Sequence, residues 1–291
     1  MKEHVFPVKR DARRAFGRAA ASYDAHAVLH REVGLRLFEH LDPIRIEPRR
    51  IVDLGCGTGH SFEAMGKRFP RAQLIGLDFS AAMLGRARRR PGWFRRAFSS
   101  HVARLVCADA ERLPLAPGSV DFMFSNLTLQ WCRPELVFAE AARVLPVGGL
   151  LMFSTLGPDT LGELRASFAG IDQAPHVHPF VDMHDLGDAL VHAGFAEPVM
   201  EMEVLTLEYA TLGDLVRDLK ATGARNALAN RQRGLTTPRR WKRVVDAYEA
   251  RRRNGALPAT YEIVYGHAWK AAPRRVDDGR QVIDFHQRGA P

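Results

Sequence analysis

The segment Ile51-Val52-Asp53-Leu54-Gly55-Cys56-Gly57-Thr58-Gly59 runs a short apolar stretch straight into a loop with three glycines. A chain that turns there must use backbone angles that glycine reaches without strain. A second apolar stretch, Gln73-Leu74-Ile75-Gly76-Leu77, then ends on a carboxylate, Asp78. The glycine spacing separates two cofactor classes. A dinucleotide-binding fingerprint needs its third glycine three residues after the second. That position is His60, so the nicotinamide-dinucleotide reading fails.

The rest of the chain extends this pattern into a fold class. Strand-like runs at 50–54, 73–77, 103–107, 120–125 and 149–155 alternate with helical runs at 58–69, 80–90 and 134–145. Such alternation predicts βαβ units and an α/β fold, with a mostly parallel sheet covered by helices on both faces. Residues 10–41 read as helix, because Ala12, Ala15, Phe16, Ala19 and Tyr23, then Leu29, Val33, Leu37 and Leu41, recur at helical spacing. After the fifth strand, helices are expected at 159–169, 183–193, 211–222 and 237–253, and strands at 199–209 and 260–269. The domain reading has N-terminal lid helices at 1–45 and a cofactor-binding domain at 46–271. That domain carries helical insertions at about 157–182 and 211–255, and a polar, disordered tail covers 272–291.

With 46% apolar and 26% charged residues in 291, the chain can bury a full core. Its apolar runs stop short of the roughly 20 residues that a membrane span needs. No apolar signal segment follows Met1, and the expected location is cytoplasmic. Cys56, Cys107 and Cys132 are odd in number and read as reduced, buried thiols. The net charge of +9 gathers in arginine clusters: Arg86, Arg88, Arg89, Arg90, Arg95 and Arg96, then Arg231, Arg233, Arg239, Arg240, Lys242 and Arg243, then Arg251–Arg253. These are either a solvated surface or a face for an acidic partner. No nucleic-acid motif accompanies them, so nucleic acid is not the expected partner.

G-x-G-x-G after an acidic residue resembles motif I of the class I S-adenosylmethionine (SAM) methyltransferases. That resemblance implies a Rossmann-like, mostly parallel seven-stranded sheet and SAM as methyl donor. Ligands of open α/β sheets bind beyond the carboxyl ends of the strands, where the motifs here fall. Gly55, Gly57 and Gly59 let backbone approach the methionyl part. Asp53 faces the amino group, and Asp78 accepts from the ribose hydroxyls. Met83 covers adenine, and Asp109 accepts from its amino group. Phe79, Ala110 and Asn126 complete the expected cofactor-binding set.

A narrower resemblance rests on longer runs. Phe16-Gly17-Arg18-Ala19-Ala20-Ala21-Ser22-Tyr23-Asp24, Ser125-Asn126-Leu127-Thr128-Leu129-Gln130-Trp131-Cys132, Ser154–Leu164 and Leu219-Lys220-Ala221-Thr222-Gly223-Ala224-Arg225-Asn226 are similar to the malonyl-acyl-carrier-protein O-methyltransferases of biotin synthesis. The resemblance spans about Phe16 to Trp269. It implies methylation of the free carboxylate of malonyl-acyl-carrier protein, or of malonyl-CoA, with an acidic acyl carrier protein docking on the arginine-rich surface. It points to Tyr23, Gln130 and Arg225 as catalytic residues, with Arg18 a further candidate. Tyr23 is equally a core contact of a lid helix, Gln130 and Asn126 equally strand-end hydrogen bonders, and Arg18 equally a solvent-facing residue.

One departure stands out: Arg225 occupies a position where many members have Thr. His178-Pro179-Phe180, Asp185-Leu186-Gly187 and Pro258-Ala259-Thr260-Tyr261 also look like a mitochondrial complex I assembly factor described as a protein-arginine hydroxylase. That relative, or a methyltransferase for another small acid or quinone precursor, is the alternative. His176, His178 and His184 lack the spacing of a metal site, and no metal is expected.

Overall fold

The order in which strands lie side by side decides where this molecule can hold a ligand. The computed structural model describes residues 5–90, 103–172, 174–232, 234 and 237–273. Seven strands form one sheet: β1 (Arg50–Leu54), β2 (Gln73–Asp78), β3 (Arg104–Cys107), β4 (Phe122–Ser125), β5 (Leu150–Leu156), β6 (Phe195–Tyr209) and β7 (Leu257–Lys270). Their spatial order is β3-β2-β1-β4-β5-β7-β6, with only β7 antiparallel to its neighbours. The order reverses between β1 and β4, which are paired through Ile51–Phe122, Val52–Met123 and Asp53–Phe124. A crevice opens beyond the carboxyl ends of strands at such a reversal.

The helices are α1 (Lys9–Ala19), α2 (Tyr23–His26), α3 (Val28–Glu39), α4 (Phe62–Arg68), α5 (Ala81–Ala87), α6 (Pro134–Val144), α7 (Gly162–Phe168), α8 (Met183–His192), α9 (Leu212–Ala221) and α10 (Pro238–Glu249). Alternate residues of the central strands feed two cores. Ile51, Phe122, Phe124, Leu150 and Met152 pack with α3, α4, α7, α9 and α10 on one face. Val52, Leu54, Met123, Leu151 and Phe153 pack with α1, α6 and α8 on the other. This is the two-residue strand period, buried on both sides.

Several expected boundaries shift for local reasons. The helix expected over 10–41 is three helices. Ser22 breaks it by donating its hydroxyl to Ala19 O (3.2 Å) and Ala221 O (3.0 Å), and Ala27 leaves the helical region at ψ 43°. The helix expected from residue 58 begins only at Phe62, because Gly57 and Gly59 sit at φ +54° and +77°. Leu161, at φ +53°, delays α7 in the same way. Strands β6 and β7 run longer than expected and pair from Phe195–Lys270 to Tyr209–Leu257, with a bulge between Ala196 and Val199. Cys107 is exposed, contrary to the buried-thiol expectation, since it ends the edge strand β3. Arg95, Arg96, Arg233 and the tail from residue 274 lie outside the described residues, and Ala272 and Pro273 have no regular structure. Among the described residues no helix is long and apolar enough to cross a membrane.

Candidate active site

The loop after β1 is tied to the end of β2 by backbone. Gly55 and Cys56 N–H both donate to Leu77 O (2.7 and 3.0 Å). The Asp78 carboxylate accepts Gly57 N–H on Oδ2 (3.0 Å) and Ser80 N–H on Oδ1 (2.7 Å). Each oxygen keeps a lone pair for a further donor. Gly55 sits at φ +73°, and a Cβ there would lie 2.0 Å from Thr128 Oγ1. Only glycine lets the β4 loop close against this turn.

Above the loop lies a cavity of about 610 Å³. Gly55, Gly57, Asp78, Phe79, Met83, Asp109, Ala110 and Asn126 border it, together with Lys9, Phe16, Tyr23, His30 and Trp131. A smaller cavity beside it brings in Asp53 and Ser61. Asp53 is buried and accepts the Ser61 hydroxyl; burial, reinforced by Asp78, pushes its carboxyl up to about 7. Burial likewise raises Asp78 to about 6, against the two backbone N–H groups that favour its charge. Two crowded, desolvated carboxylates at a glycine loop suit a cationic ligand bearing hydroxyls. A Cβ on Gly57 would meet no atom within 4 Å, so its backbone is open to the cavity. The amino group, sulfonium and ribose of SAM fit this donor and acceptor set.

A second cavity of about 940 Å³ lies under the lid. Leu29, Leu161, Leu164, Leu219 and Tyr261 give it apolar walls, and Gln130, His176, Arg225 and Asn226 add polar groups. Phe16 of α1 stands between the two large cavities, edge-on to Trp131 (5.0 Å) and Phe79 (5.9 Å). Gly223, at φ +79°, lies against Phe16, where a Cβ would come within 3.0–3.3 Å of its ring and backbone. Val8 N–H bonds Ala227 O (2.8 Å), and Arg231 pairs with Asp11 (2.7 Å). The N-terminal helix and the 211–232 segment therefore form one cover.

Not every expected residue is free to touch a ligand. Gly59 borders none of these cavities; its Cα packs against the Phe62 ring. Asp109 accepts Glu111 N–H (3.0 Å) and is ion-paired to Lys9, which also reaches Glu111 (3.1 Å). Asn126 donates to His30 O (2.8 Å) and accepts from Ser154 (2.8 Å). Gln130 donates to Leu127 O (2.7 Å) and accepts from Thr155 (3.3 Å). Both amides are thus engaged as strand-end hydrogen bonders. Arg18 is exposed and borders none of these cavities, whereas Arg225 borders the lid cavity. His176 stacks on Phe168 and bonds Asp172 (2.7 Å), His178 accepts Ala227 N–H (3.0 Å), and His184 pairs with Asp182.

Residues 52–153 match the methyltransferase domain family. The chain is 53% identical over 293 aligned positions to the malonyl-[acyl-carrier protein] O-methyltransferase of Laribacter hongkongensis, covering 98% of each. It is 51% identical over 284 positions to the enzyme of that name from Gallionella capsiferriformans, covering 97% of this chain and 98% of the relative. The chain belongs to the malonyl-[acyl-carrier protein] O-methyltransferase family. Its fold is shared by the YcgJ protein of Bacillus subtilis, with a TM-score of 0.57 at 17% identity over 83% of this chain and 99% of that one. A putative methyltransferase of Haloferax volcanii, solved with its Trm112 activator, gives 0.56 at 15% identity over 91% and 100%.

Placed in this methyltransferase family, the site has three residues that sequence reading passed over. Lys9 closes the Asp109 end of the first cavity. His60 entered the sequence argument only as a missing glycine. In the fold it bonds Asp24 of α2 (3.2 Å), beside Thr58 (2.5 Å) and Arg90 (3.4 Å), and so latches the lid to the glycine loop. The third is His30, on α3. The sequence signal for His60 was a polar side chain after a loop, which is too common to single out, and its neighbour Arg90 stood only as one of an arginine cluster.

Proposed function

We propose that this protein transfers a methyl group from SAM to the free carboxylate of malonyl-acyl-carrier protein. The product is the malonyl methyl ester that begins pimeloyl-carrier synthesis for biotin. The observation that carries this reading is the meeting of two cavities: a glycine-loop cavity with buried carboxylates, and an apolar lid cavity with Arg225 at its border. Near-full-length identity to enzymes named for this reaction supports it, and both relatives reported above are named for methyl transfer rather than hydroxylation.

When bound, SAM supplies a methyl carbon on a cationic sulfur, so that an ester C–O bond forms as the C–S bond breaks and its electron pair stays with sulfur. Asp78 offers acceptors for the ribose hydroxyls, Asp53 for the amino group, and Phe79, Met83 and Ala110 an apolar bed for adenine. Lys9 shares Asp109 with any adenine contact. The malonyl carboxylate is already ionised near neutral pH, so the site needs no general base. Its residues position the nucleophile and strip water from it. Phe16, Trp131 and Leu127 border both large cavities and supply that dry passage. Arg225 is exposed and has no ion-pair partner among the described residues, which leaves its guanidinium available to a carboxylate. Tyr23 borders the cofactor cavity, and burial together with Asp78 and Asp24 holds its hydroxyl in the protonated, donating form.

The segments 1–45, 157–182 and 211–255 act as the lid on the 46–271 domain in this reading. Of the arginine clusters, Arg90, Arg231, Arg240 and Arg252 are engaged in ion pairs. Arg86, Arg88 and Arg89 at α5, and Arg239 on α10, are exposed without one among the described residues, and each group is offered as a docking surface for the acidic carrier. Rescue of a biotin-requiring strain that lacks its own enzyme tests the function; failure of an expressed, folded protein to rescue would contradict it.

A further inference from the structure

Among the described residues, His30 alone borders all three cavities described above: the glycine-loop cavity, its Asp53 annex and the lid cavity. Its position is fixed by backbone. The His30 carbonyl accepts Asn126 Nδ2–H (2.8 Å), and one turn on, Gly34 lets α3 approach the same amide, 3.0 Å from where a Cβ would stand. The ring lies beside Tyr23, with centroids 5.4 Å apart. Neither ring nitrogen has a hydrogen-bond partner among the described residues, and Nδ1 is buried. Buried polar atoms left unpaired are rare and destabilising, and at a cavity junction they mark a place for a ligand's polar group.

We propose that His30 hydrogen-bonds the acyl substrate's carboxylate where the lid cavity meets the cofactor cavity, turning one carboxylate oxygen toward the methyl donor. The proposal rests on the malonyl-carrier reading and deepens it. Arg225 borders the lid cavity only, so it holds the substrate from the lid side, whereas His30 stands at the crossing. The charge of the ring also suits the task. Burial, with His60 and Arg31 nearby, pushes the imidazolium down to about 4, so the ring is neutral near pH 7. A neutral N–H orients a carboxylate without neutralising the charge that makes it a nucleophile. A second cation beside the attacking oxygen would blunt it.

The test compares H30F, H30A and H30Q in the full-length protein. Initial rates with malonyl-acyl-carrier protein and SAM are measured beside S-adenosylhomocysteine affinity by calorimetry. The expected result is a loss of about a hundredfold in kcat/KM for H30F and H30A, carried mainly by kcat, with S-adenosylhomocysteine affinity within about threefold of wild type. H30Q, which keeps a neutral donor, should recover most of that loss. Full activity in H30A, or equal losses in all three variants together with lost S-adenosylhomocysteine binding, would overturn the assignment. Wild-type protein that leaves malonyl-acyl-carrier protein unmethylated overturns the substrate reading, and this proposal with it. Wild-type turnover with an indifferent H30A overturns the role of His30 alone.

Discussion

Asp78 and Gly57 are joined across the loop by a 3.0 Å hydrogen bond from the glycine N–H to the carboxylate, whose other oxygen takes Ser80 N–H at 2.7 Å. The carboxylate that ends β2 therefore holds the glycine loop in shape and also borders the cavity above it. Loop geometry and ligand contact depend on the same two oxygens.

This dual role predicts a graded loss. D78A removes the acceptor of Gly57 N–H as well as the ribose contacts and should weaken SAM binding by about a hundredfold or more. D78N keeps one carbonyl oxygen and should fall between D78A and wild type. Calorimetric titration with SAM checks the order; D78A with wild-type affinity would mean that the carboxylate does not face the ligand.

The raised carboxyls of Asp53 and Asp78 predict a pH dependence of the unliganded protein. Asp53 ionises near its ordinary value of 3.8 when unfolded and at about 7 when folded. The folded state therefore holds the extra proton between those values. Stability from this group is full below about 4 and is lost as pH rises through about 7. D53N should flatten that decline and raise the Tm of the unliganded protein at pH 8, while it diminishes the Tm gain on adding SAM. Thermal scans from pH 5 to 8 with and without SAM read both effects.

Gly223 is predicted to set the seat of α1. A side chain there meets both its left-handed backbone, φ +79°, and Phe16. G223V should cost about 1–3 kcal/mol of stability. Amide exchange in Lys9–Ala19 should speed up before the sheet loosens. Unchanged exchange in α1 would separate the 211–232 segment from the N-terminal cover.

Arg225 tests the substrate side. R225M should lower kcat/KM for malonyl-acyl-carrier protein by about 10- to 100-fold through KM, with SAM affinity unchanged. R225K should recover part of it, as a point charge lacks the guanidinium's paired donors. Steady-state kinetics against each substrate distinguish the two.

The parallel run β1–β5 was readable because its strands are short, apolar toward both faces, and punctuated by glycine and proline, as in Ile51–Gly55 and Val147–Leu150. The acidic ends of β1 and β2 were readable for the same reason, since strand periodicity fixes where a strand stops. The breaks in the N-terminal helix were not. Ser22 stops α1 by bonding Ala221 across 199 positions of chain, and helical spacing continues through it. His30 and Lys9 matter through partners just after β4 and after β3, contacts that no local pattern encodes. Gly59 differs in the opposite way: its spacing belongs to the motif, and a Cβ there would meet the Phe62 ring. Asn126 stands at the expected strand end and Gln130 in the turn beyond it, and both amides bond the scaffold while they border a cavity.

The central claim is methyl transfer to a malonyl carboxylate, and one assay reads it. Purified protein is incubated with methyl-labelled SAM and malonyl-acyl-carrier protein, beside acetyl-acyl-carrier protein, which lacks the free carboxylate. The account predicts base-labile methyl ester on the malonyl carrier and none on the acetyl carrier. Bound SAM with no label on the malonyl carrier, or equal label on both, would contradict it.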